Sequence, residues 1–313
     1  MRSAAERAGR EIAGEITQPH VRPWSTVFRA QARGGAVFLK CCGGSQAHEP
    51  RLTALLARYR PGDVPALLAR HPKEDWMLLA DGGKKVRELF AGPDLLREWT
   101  RVLPRYAALQ IAMLGMEREI LATGTPDARL ERLDGIVLQV LDDHSVTQRQ
   151  GFDHVSADDE RRIRAAVPRM RERATEVAAL GIGASVDHDD LHDANVLVLR
   201  RRTVIFDWGD ACLAHPFLSL TIALRFAARR AGVAVDHPLI RRLRDAYLEP
   251  FERFAPAAQL RNAAAIARRL GVVTRALAWY RTVTLSEGPP DLGHETFAGW
   301  LRELPRAFPP RVH

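Results

Sequence analysis

Ser185-Val186-Asp187-His188-Asp189-Asp190-Leu191-His192-Asp193-Ala194-Asn195-Val196-Leu197-Val198, continued by Val204-Ile205-Phe206-Asp207-Trp208-Gly209-Asp210, is the most informative stretch of the 313-residue chain. It sets a His-x-Asp and a downstream Asn on a loop ahead of a short apolar strand. A turn at Arg200-Arg201-Arg202 then leads into a second apolar strand that ends in Asp207. Such a hairpin delivers one carboxylate, Asp190, suited to take a proton. It also delivers the Asn195 amide and the Asp207 carboxylate, two oxygen donors of the kind that hold Mg²⁺. Asp and Asn near turns more often serve local hydrogen bonding, and a lone Asp-Leu-His would say nothing further. A second reading takes His188, Asp189, Asp190, His192 and Asp193 as the ligand cluster of a metal-dependent hydrolase. Imidazole favours transition metals, however, and such sites usually recruit further His from elsewhere.

The series His-x-Asp-(x)₄-Asn followed by an Asp at the end of an apolar strand, here His188, Asp190, Asn195 and Asp207, resembles the catalytic core of the aminoglycoside phosphotransferase and choline-kinase-like family, small-molecule relatives of the protein kinases. The resemblance implies an α/β (more narrowly α+β) two-lobed fold over about residues 16–305. It also implies ATP- and Mg²⁺-dependent phosphorylation of a hydroxyl on a small molecule. Asp190 would then orient the hydroxyl and accept its proton, while His188 braces the loop. Asn195 and Asp207 would hold Mg²⁺. Asp210 is left between two roles, ligand of a second metal or cap of the next turn. One departure lies downstream, where Ser219 precedes Leu220 in place of the Asp frequent in relatives; this weakens any polar bracing at that position. A nucleotide-binding protein without catalysis is the alternative from another class, and the joint presence of Lys40, Asp190, Asn195 and Asp207 argues against it.

The first third tests this independently. Gly34-Gly35-Ala36-Val37-Phe38-Leu39-Lys40 is a turn and an apolar strand ending in lysine, and only four of the 46 Lys and Arg residues are lysine: Lys40, Lys73, Lys84 and Lys85. A chain that nearly always uses Arg has placed a compact ammonium here, where a snorkelling strand-end cation would be served equally by a guanidinium. Glu49 precedes Leu52, Leu55 and Leu56, whose spacing defines one helix face. With Pro50 in the first turn, helix capping is a sufficient structural role for it, whereas the resemblance pairs Glu49 with Lys40. Upstream, strand, tight connection and strand run through 21–30 without a glycine between Gly14 and Gly34, a departure from the protein-kinase pattern. Ser25 and Thr26 are the phosphate-facing candidates there. Trp76-Met77-Leu78-Leu79-Ala80-Asp81-Gly82-Gly83 reads as a strand entering a flexible connection, and the backbone of Leu79, Ala80 and Asp81 is the expected contact for the adenine edge.

The landmarks divide the chain into a leader (1–15), a nucleotide-binding lobe (16–81) and a catalytic, substrate-binding lobe (82–313). Amphipathic spacing places helices at 93–116, 128–142, 158–180, 238–254 and 257–283, the last with a break near Gly271, then a loop at Ser286-Glu287-Gly288-Pro289-Pro290 and a last helix over 292–304. No run of about 18 apolar residues is present to span a bilayer, and the acids Glu6, Glu11 and Glu15 do not suit a secretory signal. Cys41, Cys42 and Cys212 make no disulfide framework. The expected location is the cytoplasm, with no membrane partner. The net charge of +8 raises the question of nucleic acid. The arginines are scattered along helix faces without a recognition motif, so no nucleic-acid partner is expected. After Ala211 arginines outnumber acids. A pocket for polycationic aminoglycosides would be lined with carboxylates, so a neutral or anionic hydroxylated metabolite fits at least as well as acceptor.

Overall fold

The computed structural model describes residues 1–148, 154–199, 202–285 and 296–309. Arg200 and Arg201 of the expected turn, the 286–290 loop and the start of the last expected helix lie outside the described residues.

The smaller lobe is a five-stranded antiparallel sheet in the order β1-β2-β3-β5-β4: β1 (Ile12–Arg22), β2 (Ser25–Ala32), β3 (Gly35–Cys42), β4 (Leu67–Arg70) and β5 (Trp76–Ala80). Residue alternation decides what each face does. Val37 and Leu39 on β3 pack with Leu78, Ala30 and Ile12 into a small core, whereas Lys40, one step on, turns to the other face. The chain joins this lobe before residue 16: helix α1 (Arg2–Arg7) buries Ala4 and Ala5 in the same core, and β1 starts at Ile12. Helix α2 (Glu49–Tyr59) buries Leu52 and Leu56, as the spacing predicts, but against the core of the larger lobe.

The larger lobe contains β6 (Lys84–Lys85), α3 (Val86–Leu89), α4 (Gly92–Ala112), α5 (Glu117–Ala122), α6 (Leu133–Asp142), α7 (His144–Thr147), α8 (Ala157–Ala178), β7 (Ser185–Asp187), β8 (Val196–Leu199), β9 (Arg202–Ile205), β10 (Cys212–Ala214), α9 (Leu220–Ala231), α10 (Pro238–Leu248), α11 (Ala257–Leu285), α12 (Phe297–Leu301) and α13 (Leu304–Ala307). Strands β8 and β9 form the expected hairpin, Val196 opposite Ile205, and β7 pairs antiparallel with β10. These two pairings bring the β7–β8 loop and the β9–β10 loop side by side, and Phe206 N donates to Asn195 O at 3.1 Å. This is an α/β, two-lobed kinase-like architecture with an antiparallel small lobe and a mainly helical large one.

Gly271 corrects one expectation. Helix α11 runs through it without a break. A Cβ there would stand 2.0 Å from Thr221 Oγ1 and 2.7 Å from Leu218 O, so the glycine permits the segment 218–221 to lie directly on the helix backbone. No helix of the described residues is long and apolar enough to cross a membrane.

Candidate active site

The loop after β9 carries Asp207 in the left-handed region, at φ +66°, a conformation that Asp tolerates better than most residues. There its carboxylate Oδ1 lies 2.5 Å from Lys40 Nζ, and Glu49 Oε2 lies 2.5 Å from the same ammonium. Glu49 is wholly buried and its second oxygen accepts the Trp208 N–H at 3.2 Å. A strand-end Lys, a helix-start Glu and the Asp207 loop, the first and last 167 positions apart, thus meet in one cluster. Burial pulls the Lys40 pKa down, but Asp207 and then Glu49 outweigh it and hold it well above the ordinary lysine value. Desolvation likewise works against Asp207, and Lys40 holds that carboxyl below its ordinary value. Burial wins at Glu49, whose pKa is raised against the pull of Lys40.

Asp190 stands on the β7–β8 loop and is held by three donors. Asn195 Nδ2 reaches its Oδ2 at 3.0 Å and its backbone carbonyl at 2.9 Å. His192 Nε2 lies 3.3 Å from Oδ2, and Arg275 Nη2 lies 3.2 Å from Oδ1. Burial raises the Asp190 pKa, but Arg275 above all, with His192 behind it, brings it down to about 2. Because both amide N–H contacts of Asn195 go to Asp190, its Oδ1 is the atom left for a cation. The Asn195 amide and the Asp207 carboxylate are hard oxygen donors, a set that fits Mg²⁺.

His188 is wholly buried. Its Nε2 donates to Phe206 O at 2.9 Å, and its Nδ1 accepts the Asp190 N–H at 3.3 Å. Burial lowers its pKa, so the ring is neutral, with the tautomer these bonds require. It ties the Asp190 loop to the Asp207 loop. The other members of the suspected ligand cluster are likewise committed: Asp189 accepts from Thr274 at 2.6 Å, and Asp193 is paired with Arg87 and Arg230, each at 2.9 Å. Among the described residues no three His, Cys, Asp or Glu groups are placed to hold a metal together.

Several sequence expectations are modified. Asp210 is not an open carboxylate: its Oδ2 is 2.6 Å from Arg275 Nη1 and its Oδ1 accepts from Gln46 at 3.4 Å. Ser219 keeps the bracing that its departure from Asp put in doubt. Its hydroxyl donates to the buried Asp187 and meets Tyr106 Oη at 2.7 Å and Gln110 Nε2 at 3.1 Å. Ser25 is buried at the start of β2, and the Thr26 hydroxyl donates across the hairpin to His20 O at 3.0 Å; neither lines the cleft. The hairpin turn is Pro23-Trp24, and the residues it contributes to the cleft are His20, Arg22 and Trp24. The N–H groups of Ala80 and Asp81 are engaged within the small lobe, on Ala66 O at 2.9 Å and Ala36 O at 3.1 Å. Leu79 lies within β5, and the Asp81 carboxylate accepts the Gly83 N–H at 2.8 Å.

Asp190, Asp207 and Asp210, with His20, Arg22 and Trp24, line a cleft of about 300 Å³, joined by Gln46, His192, Phe226, Arg275, Trp279 and Thr282. Helix α11 also touches the small lobe here. Trp24 and Trp279 meet edge to face at 6.4 Å, Arg281 donates to Ser45 O at 2.6 Å, and the Ser45 and Thr282 hydroxyls are 3.4 Å apart. In the sequence Arg275 is one of the many arginines after Ala211, and nothing local to it marks it out.

The phosphotransferase enzyme family model matches residues 45–258. Among solved structures, a choline/ethanolamine kinase family protein from Mesorhizobium loti is 17% identical, with 95% of this chain and 87% of that one covered at a TM-score of 0.56. Plasmodium vivax ethanolamine kinase is 10% identical over 94% and 82%, at 0.66. Macrolide 2'-phosphotransferase from Brachybacterium faecium is 18% identical over 100% and 98%, at 0.50. At these identities the likeness is one of fold. No curated protein sequence matches the chain.

Proposed function

The chain belongs to the phosphotransferase enzyme family, and from that premise we propose that it transfers the γ-phosphoryl group of ATP, with Mg²⁺, to a hydroxyl of a small molecule. One observation carries the reading: Lys40 Nζ stands 2.5 Å from both Glu49 and Asp207, beside an Asp190 held by Asn195. Lys40 is the group for the nucleotide phosphates, and Glu49 fixes where it points. Asn195 and Asp207 would hold Mg²⁺, which when bound neutralises charge on the phosphate oxygens. Asp190 orients the acceptor hydroxyl toward the phosphorus. With its pKa brought down to about 2, it is a weak base, so it takes the hydroxyl proton late, once bonding to phosphorus has made that proton acidic. His188, neutral and doubly bonded, keeps the two loops in register. Positioning and charge supply most of the rate in such chemistry. We place the enzyme in the cytoplasm, in keeping with its three free cysteines.

The test is ADP release from Mg·ATP across hydroxylated compounds, including aminoglycosides, macrolides, sugars, amino-alcohols and nucleosides, with Asp207→Ala as control. Acceptor-dependent ADP release that requires Mg²⁺ and disappears in Asp207→Ala is the expected result. Nucleotide binding without turnover of any acceptor would favour a regulatory protein. Bound zinc, with activity surviving Mg²⁺ depletion, would favour a hydrolase.

A further inference from the structure

The acceptor wall of the cleft has a charge arrangement of its own. Among the described residues the cleft is lined by three acids, Asp190, Asp207 and Asp210. The three share two internal cations: Lys40 is paired with Asp207, and the two arms of a single Arg275 with Asp190 and Asp210. Arg275 has only 5% of its side chain exposed, and a fourth acid, the buried Asp189, has its Oδ2 4.0 Å from the same guanidinium. The aromatic surfaces are in a similar state. The Arg275 guanidinium carbon lies 5.2 Å from the Trp279 ring centre, and His192 is stacked on Phe226 at 4.9 Å and 28°. A cationic ligand is held by an unneutralised carboxylate or by an aromatic face open to it. With the exposed Arg22 at the same cleft, three cations (Lys40, Arg275 and Arg22) stand against the three lining acids and leave no net negative charge to hold an amine. Trp24, Phe226 and Trp279 are only half-buried, and the part of each ring left uncovered favours a flat apolar surface on the ligand.

We propose that Arg275 is the specificity-determining residue of the acceptor side, and that it selects a neutral or anionic hydroxyl compound with a flat apolar face against amines. This rests on the phosphotransferase reading, and the two fail in different ways. Calorimetric titration of the full chain with Mg²⁺ and a non-hydrolysable ATP analogue comes first; absence of binding removes the phosphotransferase reading and this proposal with it. With nucleotide binding established, the acceptor is tested by three compounds that differ only at C6 of one sugar: phenyl β-glucoside, phenyl β-glucuronide and phenyl 6-amino-6-deoxy-β-glucoside. Kanamycin and choline complete the set. Each is measured for binding to the nucleotide-loaded protein and for ADP release.

The glucoside or the glucuronide is expected to bind, and to exceed the amino sugar roughly tenfold in affinity, or in kcat/KM where turnover occurs. Kanamycin and choline are expected to be poorer still. Preference for the amino sugar, kanamycin or choline overturns the proposal while leaving the enzyme class standing. Failure of all three phenyl glycosides to bind at concentrations on the order of 10 mM overturns it as well. Arg275→Met supplies the second readout: in the folded variant the preference over the amino sugar should fall roughly tenfold, while Arg275→Lys keeps it. An unchanged preference in folded Arg275→Met reduces Arg275 to a structural role, and the wild-type comparison decides the matter if that variant does not fold.

Discussion

On the proposed nucleotide side of the cleft, Lys40 stands between Glu49 and Asp207, 2.5 Å from each; on the proposed acceptor side, Arg275 stands between Asp190 and Asp210, at 3.2 and 2.6 Å. Both are cations set between two acids, yet they are built from different material. The lysine cluster draws on a strand end, a helix start and a strand-end loop, each delivered by its own local pattern. The arginine cluster depends on where a 29-residue helix lies against the rest of the lobe. A compact ammonium can exchange a carboxylate partner for a phosphate without reorganising a plane of hydrogen bonds. A guanidinium fork holding two carboxylates is fixed in orientation. The first arrangement suits a group that acts on a ligand, the second a group that sets the charge of a surface.

The comparison is broken most severely at Asp190, the residue to which the proposed mechanism gives the acceptor hydroxyl. Asp190→Asn should lower turnover about 10²–10⁴-fold, the range for a positioned acid–base group, with nucleotide affinity little changed. Near-normal ADP release from the variant would take Asp190 out of the mechanism.

Lys40 is the corresponding test on the nucleotide side. Lys40→Arg conserves charge, but the side chain is buried and its ammonium meets two carboxylates at 2.5 Å each, a placement that a longer planar fork does not reproduce. Its loss of ATP use should nearly match that of Lys40→Ala, whereas Lys73→Arg, in the polar turn His71-Pro72-Lys73-Glu74-Asp75, should be silent. Steady-state kinetics with varied ATP separates the outcomes, and a fully active Lys40→Arg would make this lysine ordinary surface charge.

Gly271 probes how Arg275 is placed, since it lies one turn earlier on the same helix. Gly271→Ala puts a methyl group into Thr221 and the Leu218 carbonyl, and should destabilise the protein by about 1–3 kcal/mol. The urea midpoint measures it; an unchanged midpoint would mean that helix and neighbouring segment separate freely.

The smallest effect concerns Asp187, beneath the acceptor side. Burial raises its pKa to about 6, against hydrogen bonds from Ser219 and the Asp189 N–H. A carboxyl raised above its unfolded value of about 3.9 favours the folded state while protonated, so its contribution is complete below about pH 4 and lost as pH rises through about 6. The stability difference between wild type and Asp187→Asn should therefore change across this interval and level off above it. A constant difference would show that Asp187 does not titrate there.

Much of the Lys40–Glu49–Asp207 cluster is legible in the sequence because periodicity and composition act over a few residues. The rarity of lysine singled out Lys40, and the hairpin pattern singled out Asp207. The acceptor side was not legible in the same way. Arg275 sits among many arginines, and its meaning arises only when α11 packs beside the β7–β8 loop. Gly271 misled for a related reason: a glycine in a helix reads as a break, and only the approach of Thr221 shows it as a contact. Ser219 was judged against its expected counterpart, although Tyr106, Gln110 and Asp187, each far away in sequence, complete the network it needs. The sequence offers hydroxyls at the hairpin, Ser25 and Thr26, but the Thr26 hydroxyl bonds across to its partner strand instead.

Helix α11 reaches across to the small lobe through Arg281–Ser45, Ser45–Thr282 and Trp24–Trp279. The small lobe is thus tied to the large one at the helix that forms one wall of the cleft, in addition to helix α2, which packs on the large-lobe core, and the Lys40–Asp207 pair. All three contacts on α11 fall within residues 279–282, a single turn. On the proposed reading, any widening of the cleft to admit a nucleotide would have to release that turn, so the wall facing the acceptor would also be a fastening between the lobes.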